Sequence, residues 1–290
     1  AKILVDAAAL IEARVEAYAA ELTREEGKSL ALARDEWLRS AQTLRLYAAE
    51  GQTFGGEVYP QDDREMLVYS LREPLGVVTV ISPWNFPVSI PARKIAPALV
   101  TGNTVVFKPS SDAPLSGLRL AQVLVEAGLP KGVLNFLTGA ASAVGAAITE
   151  SPQVRAISFT GSTSAGERIH RGAPLTTRVQ LELGGKNPLI VMDDADLDRA
   201  VDLAIKGGLS LSGQACTGTS RIFVMRAVHD AFVEKLAAKM RSLSVGPGTT
   251  PGMDLGPLAT ASQLETVLSY IEIGRTEATL AVGGMRLTLA

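Results

Sequence analysis

The chain of 290 residues holds a single cysteine, Cys216, in the segment Gly213-Gln214-Ala215-Cys216-Thr217-Gly218. One cysteine cannot close an internal disulfide or build a thiolate zinc cage. It is therefore an inert packed thiol or a nucleophile, and its small, polar flanks favour the nucleophile. A nucleophile that builds a tetrahedral adduct needs a fixed donor for the oxyanion and a base to finish the turnover. Asn85, in Pro83-Trp84-Asn85-Phe86-Pro87, is a candidate donor. Two prolines and two aromatics make this a stiff turn, although the same Asn could cap the next helix. Glu182, in Leu181-Glu182-Leu183-Gly184-Gly185-Lys186-Asn187-Pro188, is a candidate base. A carboxylate kept from water between leucines would have a raised pKa suited to general-base work. The alternative is a Glu that bonds local backbone donors or pairs with Lys186.

Two further segments suit an anionic ligand. Phe159-Thr160-Gly161-Ser162-Thr163-Ser164-Ala165-Gly166 follows a strand pattern and opens a helical one. Free N–H groups at such a helix start, with glycines permitting close approach, bind phosphate. The segment is neither a Walker loop nor a G-x-G-x-x-G fingerprint, and a simply well-capped helix would look the same. Phe107-Lys108-Pro109-Ser110-Ser111 also ends a strand pattern. Lys108 there can reach a sugar or phosphate, or can be a solvated surface lysine.

The elements that must carry these residues follow from apolar spacing. Leu10 to Glu26 and Leu32 to Glu50 read as helices, separated by Gly27 and followed by a turn-rich stretch, 51–63. Met66 to Ser70 and Val77 to Ile81 read as a strand pair around Glu73-Pro74-Leu75-Gly76. Apolar strands are expected over 103–107, 133–137, 156–159, 188–192 and 221–225. Helices are expected over 90–100, 115–127, 141–148, 164–171 and 197–209, with one more over 228–240. Continuous apolar strands alternating with helices predict an α/β fold whose parallel sheet is covered on both faces. Ligands of such sheets sit outside the carboxyl ends of the strands, where three of the five segments fall.

Composition narrows the class. Hydrophobic residues make up 47% and aromatics only 5%, and the net charge is −2. This is the make-up of a packed enzyme without a basic face for nucleic acid or anionic membrane. No apolar run reaches the ~18 residues needed to span a bilayer. The start, Ala1-Lys2-Ile3-Leu4, lacks a signal-peptide layout and an initiator Met. The expectation is a cytoplasmic protein whose first residue is not the native one.

Taken in order, Pro-Trp-Asn-Phe-Pro, Phe-x-Lys-Pro-Ser, Phe-Thr-Gly-Ser-Thr-x-x-Gly, Leu-Glu-Leu-Gly-Gly-Lys and Gly-Gln-x-Cys-Thr resemble the aldehyde dehydrogenase superfamily over essentially the whole chain. The resemblance implies a Rossmann-like parallel-sheet cofactor domain with a helical N-terminal segment, plus part of a second α/β catalytic domain. It implies an NAD(P)-binding domain over 1–64 and 84–183, oligomerisation strands over 65–83, and the first part of the catalytic domain over 184–290. Cys216 matches the nucleophile that forms a thiohemiacetal and then a thioester. Asn85 matches the oxyanion donor, acting with the Cys216 N–H, and Glu182 the base for hydrolysis. Lys108 matches the ligand of the adenine-side ribose and Ser162 a diphosphate ligand. Ile81, Pro83, Trp84, Ser111, Gly145, Gly161, Gly166 and Leu183 fall on the cofactor groove. The cofactor implied is NAD or NADP, with no metal. The partner is a small aldehyde, and the full-length protein would be a homodimer or homotetramer.

Three departures from the family pattern carry expectations. Ser111 stands where NAD-preferring relatives often carry Glu; a Ser does not repel a 2′-phosphate, so NADP should be accepted or preferred. Gly218 stands where Ala is usual. The family's Glu-x-Phe-Gly-Pro segment is absent, so the chain is expected to be a fragment with little activity alone and an exposed apolar face. Ser111, Thr217 and Thr219-Ser220-Arg221 resemble relatives that oxidise semialdehydes such as α-ketoglutarate semialdehyde. The competing functions are a member that passes its thioester to coenzyme A, a cysteine hydrolase using His170 or His229, and an inactive cofactor-binding fragment.

Overall fold

Apolar side chains at spacings of three and four wind the N-terminal region into helices α1 (Lys2–Ala13), α2 (Val15–Glu26) and α3 (Leu30–Thr53). The stretch expected as one helix over 10–26 is two, broken at Arg14, whose backbone leaves helical geometry (φ −119°, ψ 13°). Gly27 ends α2 at φ +96°, a left-handed stop that costs glycine little. The computed structural model describes residues 1–287; residues 288–290, the end of the expected catalytic segment, lie outside the described residues. Contacts divide the chain into two compact units. The first comprises Ala1–Tyr18 and Arg34–Leu183, and the second Ala19–Ala33 with the chain from Gly184 onward.

In the first unit, β1 (Val58–Tyr59) and β2 (Val68–Tyr69) form a short, exposed antiparallel ribbon. The main sheet contains β3 (Val77–Ile81), β4 (Thr104–Lys108), β5 (Leu134–Phe136), β6 (Val154–Thr160) and β7 (Arg178–Glu182). All its pairs are parallel and the order is β5-β4-β3-β6-β7. Crossovers run through α4 (Ser89–Val100), α5 (Pro114–Glu126), α6 (Ala141–Thr149) and α7 (Thr163–Gly172).

Two expectations are corrected here. Val77–Ile81 does not pair with 66–70; it is the central strand of the sheet. The physical reason lies in its composition. Val78, Thr79 and Val80 are all buried, and successive strand residues point to opposite faces, so this strand needs cover on both sides. The sequence reading also missed β7. Arg-Val-Gln-Leu-Glu alternates polar and apolar residues, which suits a half-exposed edge strand and not the apolar run sought for a buried one.

The second unit is a βαβ element. Strands β8 (Asn187–Val191) and β9 (Thr219–Val224) are parallel and joined by α8 (Leu197–Leu209), which packs on α9 (His229–Arg241). Asp196 starts α8, its Oδ1 accepting from the amides of Asp198 and Arg199. Val191, Val201, Ala204 and Phe232 form the core, with Leu189, Ile222 and Leu236 against it. The other sheet face is bare, with Ile190 and Phe223, register partners, 66% and 54% exposed. Helix α10 (Ala261–Glu277) has no buried residue; its stripe of Leu264, Val267, Leu268 and Ile271, at spacings of three and four, is only half-buried and was missed in the sequence reading.

Candidate active site

The first unit gathers its candidate residues by backbone register. Chain order runs outward from β3 through β4 to β5, then returns to β6 beside β3, so the switch of direction falls between β3 and β6. Ile81 pairs with Lys108 on one side and Phe159 on the other, and Phe159 pairs with Leu181. These four residues form one rung at the carboxyl end of the sheet, the position where doubly wound sheets bind ligands. Pro83, Trp84 and Asn85 leave this rung in a part-buried loop that leads into α4. Val88, the N-cap of α4, offers no side-chain cap. The buried Glu36 of α3 supplies one, its Oε1 accepting from the amides of Val88 (2.9 Å) and Ser89 (3.0 Å). An anionic acceptor at a helix start satisfies orphan donors and complements the dipole, so Glu36 fixes where the Asn85 loop ends.

Lys108 is buried, which excludes the solvated-lysine alternative. Its Nζ donates to its neighbour's carbonyl, Pro109 O, at 3.1 Å, and burial lowers its pKa. Ser111 is exposed, while Asp112 beside it engages Ser110 through the backbone amide. Ser162 is the N-cap of α7, accepting from the Ala165 amide at 3.3 Å. The capped-helix alternative therefore holds, and it coexists with an exposed helix start at Ser162, Thr163 and Ser164. A Cβ on Gly161 would lie 2.5 Å from the Phe159 ring, and one on Gly166 would lie 2.7 Å from Leu183 Cδ2. Both glycines thus permit close approach of backbone to side chain. Gly145, in α6, faces open space.

Glu182 corrects the expectation of an enclosed carboxyl group. It is exposed. Its neighbours Leu181 and Leu183 pack into the cluster of Val154, Ile157 and Phe159, while strand alternation turns the Glu182 side chain to the other face. There its Oε1 accepts from Gln180 Nε2 at 2.7 Å. Gln180 Oε1 in turn accepts from Ser158 Oγ (2.6 Å) and from Lys94 Nζ (3.2 Å), and Lys94 also donates to Ser158 Oγ (2.9 Å). Two donors on its oxygen fix which way the amide points, so its nitrogen faces Glu182. Lys94 is 9% exposed, and burial lowers its pKa to about 8 against the opposing attraction of Glu182. The sequence reading missed Lys94, Ser158, Gln180 and Glu36. The available signal was a Lys inside the otherwise apolar Ile90-Pro91-Ala92-Arg93-Lys94-Ile95-Ala96.

In the second unit Cys216 is exposed, which excludes the buried-thiol alternative. It lies in a turn closed by the Gly218 amide donating to Ala215 O at 3.0 Å. Asn187, at the start of β8, donates from Nδ2 to Cys216 O at 3.1 Å. Arg221 of β9 donates twice to Lys186 O (3.1 and 2.9 Å) and so ties down the loop before Asn187. Glycines at 207 and 208 let the end of α8 meet β9, since a Cβ on Gly207 would lie 2.5 Å from Thr219 Oγ1. His229 turns its Nδ1 to Asp230 (2.8 Å). The described residues contain no group of three or more His, Cys, Asp or Glu that could hold a metal, and no helix long and apolar enough to cross a membrane.

The family model described as "Aldehyde dehydrogenase family" matches residues 1–289. The chain belongs to the aldehyde dehydrogenase family. Among curated aldehyde dehydrogenases, the alpha-ketoglutaric semialdehyde dehydrogenase of Bacillus subtilis (strain 168) is 45% identical over 286 residues, which is 98% of this chain and 59% of that protein. The 2,5-dioxopentanoate dehydrogenase of Saccharolobus solfataricus is 43% identical over 286 residues, 97% of this chain and 60% of the relative. Among solved structures, a betaine aldehyde dehydrogenase from Staphylococcus aureus in complex with NAD+ superposes with a TM-score of 0.96 at 35% identity, over 99% of this chain and 57% of that one. This aldehyde dehydrogenase chain thus spans about 60% of the length of the relatives it matches.

Proposed function

We propose that the protein oxidises a semialdehyde to the acid by hydride transfer to NAD(P)+, with Cys216 as nucleophile, Asn85 as oxyanion donor and Glu182 as hydrolytic base. The observation that carries this reading is the pair of relatives at 45% and 43% identity, both named for a semialdehyde or dioxo acid. A 1–183 cofactor portion, apart from the 58–69 ribbon, and a nucleophile-bearing portion from 184 onward are part of the same proposal.

The chain's residues fit a dinucleotide. The buried Lys108 ammonium has three donors and spends one on Pro109 O. The start of α7 is exposed, and Gly145 leaves room beside it in sequence-adjacent α6. Lys108 and Ser111 would hold the adenine-side ribose, Ser162 and the α7 amides the diphosphate. Ile81, Pro83, Trp84, Gly161, Gly166 and Leu183 would shape the groove. When bound, the oxidised nicotinamide supplies the hydride acceptor.

The protein's own steps follow from its side chains. The Cys216 thiolate adds to the aldehyde carbon, and the carbonyl oxygen becomes an oxyanion. The Asn85 amide and the Cys216 N–H donate to that oxyanion as it develops, which is worth more than binding the neutral carbonyl. Loss of hydride leaves a thioester on Cys216. Glu182, held by Gln180, takes a proton from water as the water's oxygen attacks the thioester; the thiolate leaves and the acid is released. A hydrolytic base drains a thioester before coenzyme A can collect it. Ser111 lacks the negative charge that would repel a 2′-phosphate, so the enzyme is expected to use NADP. The test is a panel of semialdehydes and simple aldehydes with NAD and NADP, using the full-length enzyme. Free acid as product, with Cys216→Ala losing NAD(P)H formation and retaining cofactor binding, is the expected result. Acyl-coenzyme A as product, turnover without Cys216, or a preference for simple aldehydes would each overturn a part of it.

A further inference from the structure

Leu211 (φ 54°, ψ 34°) and Ser212 (φ 55°, ψ 34°) are left-handed, and Gly213 follows at φ 78°. Leu211 and Ser212 are the positive-φ non-glycine residues among the described residues. A left-handed Cβ crowds the next carbonyl oxygen, so two such residues in a row persist only when their surroundings over-determine them. The surroundings here are specific. Ser212 Oγ donates to Gly256 O at 2.7 Å. Gln214 folds back so that its Nε2 donates to Leu211 O (3.1 Å), which also accepts from the Gln214 backbone amide (3.0 Å). The other end of the same side chain, Oε1, accepts from the Ala259 amide at 3.0 Å. One amide side chain thus closes the turn on itself and fastens it to a segment 45 residues on. Leu211 is buried as the apolar pin of the same turn. The next residue after Gln214 begins the turn that carries Cys216.

We infer that Gln214 and Ser212 are positioning residues that hold this left-handed turn and thereby fix the Cys216 loop in one conformation. The inference rests on the proposed reading of Cys216 as nucleophile for its catalytic consequence, but not for its structural one. No chemical step passes through either residue. Their effect is on how narrowly the thiol and its N–H are distributed about the productive geometry, where an error of about 1 Å can cost a hundredfold in rate.

The lone cysteine allows a direct test. Cys216 is alkylated with a trifluoromethyl thiol reagent, and the 19F spectrum is read for the chain and its variants. One narrow resonance is expected for the unsubstituted chain, and several resonances or a severalfold broader line for Gln214→Ala, at unchanged far-ultraviolet circular dichroism. Ser212→Ala, which keeps the left-handed strain and removes the bond to Gly256 O, should broaden the line too. In the full-length enzyme, Gln214→Ala should lower kcat about ten- to a hundredfold, with KM for aldehyde and cofactor within about twofold, and Ser212→Ala should change kcat in the same direction. A line and a kcat unaltered by Gln214→Ala overturn the inference for Gln214, and a line unaltered by Ser212→Ala overturns it for Ser212. Should Gln214→Ala not fold, Gln214→Glu carries the same test. It keeps the acceptor for Ala259 and loses the donor to Leu211 O; broadening supports the inference and an unaltered line refutes it. Turnover surviving in Cys216→Ser would refute the nucleophile reading alone, since the 19F result does not depend on catalysis.

Discussion

The two units hold their candidate residues by different means. In the first, Ile81, Lys108, Phe159 and Leu181 are set side by side by parallel strand register, and Glu182 follows one residue later on β7. In the second, the Cys216 loop is set by side-chain hydrogen bonds from Asn187, Ser212 and Gln214, beside a two-stranded sheet with one bare face. Register is the product of many cooperating backbone bonds and of burial on both faces, so one substitution at a surface point scarcely moves it. Side-chain tethers are few, and each is a single point of failure. A groove built the first way suits a large, constant ligand, and a nucleophile built the second way can be tuned by individual substitutions.

Several substitutions would break or sharpen this contrast. The largest expected effect is on chemistry. Glu182→Gln should lower steady-state turnover of the full-length enzyme about 10²–10⁴-fold while leaving a first-turnover burst of NAD(P)H, as rapid-quench absorbance would record. Loss of the burst as well would mean that Glu182 acts before the thioester. Next come paired core truncations. Ile157→Ala, at 1% exposure between two strands of the first unit, should cost about 2–5 kcal/mol in urea unfolding. Ile190→Ala, on the bare face of the second, should cost less than about 0.5 kcal/mol. Equal costs would remove the distinction between the units.

Ser111→Glu should shift the ratio of kcat/KM for NADP to that for NAD downward by about tenfold or more, one charge repulsion of ~1–2 kcal/mol near a partly screened surface. An unchanged ratio would detach Ser111 from cofactor choice. The smallest effect is a pH dependence. Lys94 has its folded pKa lowered from 10.5 to about 8 by burial. Below about pH 8 it is charged in both states and its burial is unfavourable. Between about 8 and 10.5 the unfolded chain binds the extra proton, so stability rises with pH across that window. Lys94→Met should therefore gain most in Tm relative to the native chain near pH 7, and the gain should shrink towards pH 10.5. A gain that is constant with pH would place Lys94 in a wetter setting than its burial indicates.

The sequence carried the alternation of strands and helices because buried parallel strands are nearly continuous apolar runs, as in Val77–Ile81 and Thr104–Lys108. It did not carry the pairing of Val77–Ile81, since a five-residue apolar strand looks alike beside a ribbon or inside a sheet. The flanking leucines of Glu182 misled for a related reason: neighbours in a strand report on the opposite face. Asn85, Glu182 and Cys216 stood out as candidates through their motifs. Lys94, Ser158 and Gln180 did not, because the three meet only when α4, packed on β3 and β4, sends the Lys94 side chain across to β6 and β7. Asn187 was quoted within a motif, yet its bond to Cys216 O spans 29 residues and leaves no local trace.

Glu36 has a meaning for folding beyond its role as a cap. It reaches amides 52 and 53 residues further along the chain. Closing so long a loop costs chain entropy that local contacts cannot return, and the centre of the sheet closes a longer one still, since β3 pairs with β6 from Val77 to Val154. The final shape of the Asn85 loop therefore depends on two long-range closures, one on the strand before it and one on the helix after it, and a chain that has made one of them still lacks the other.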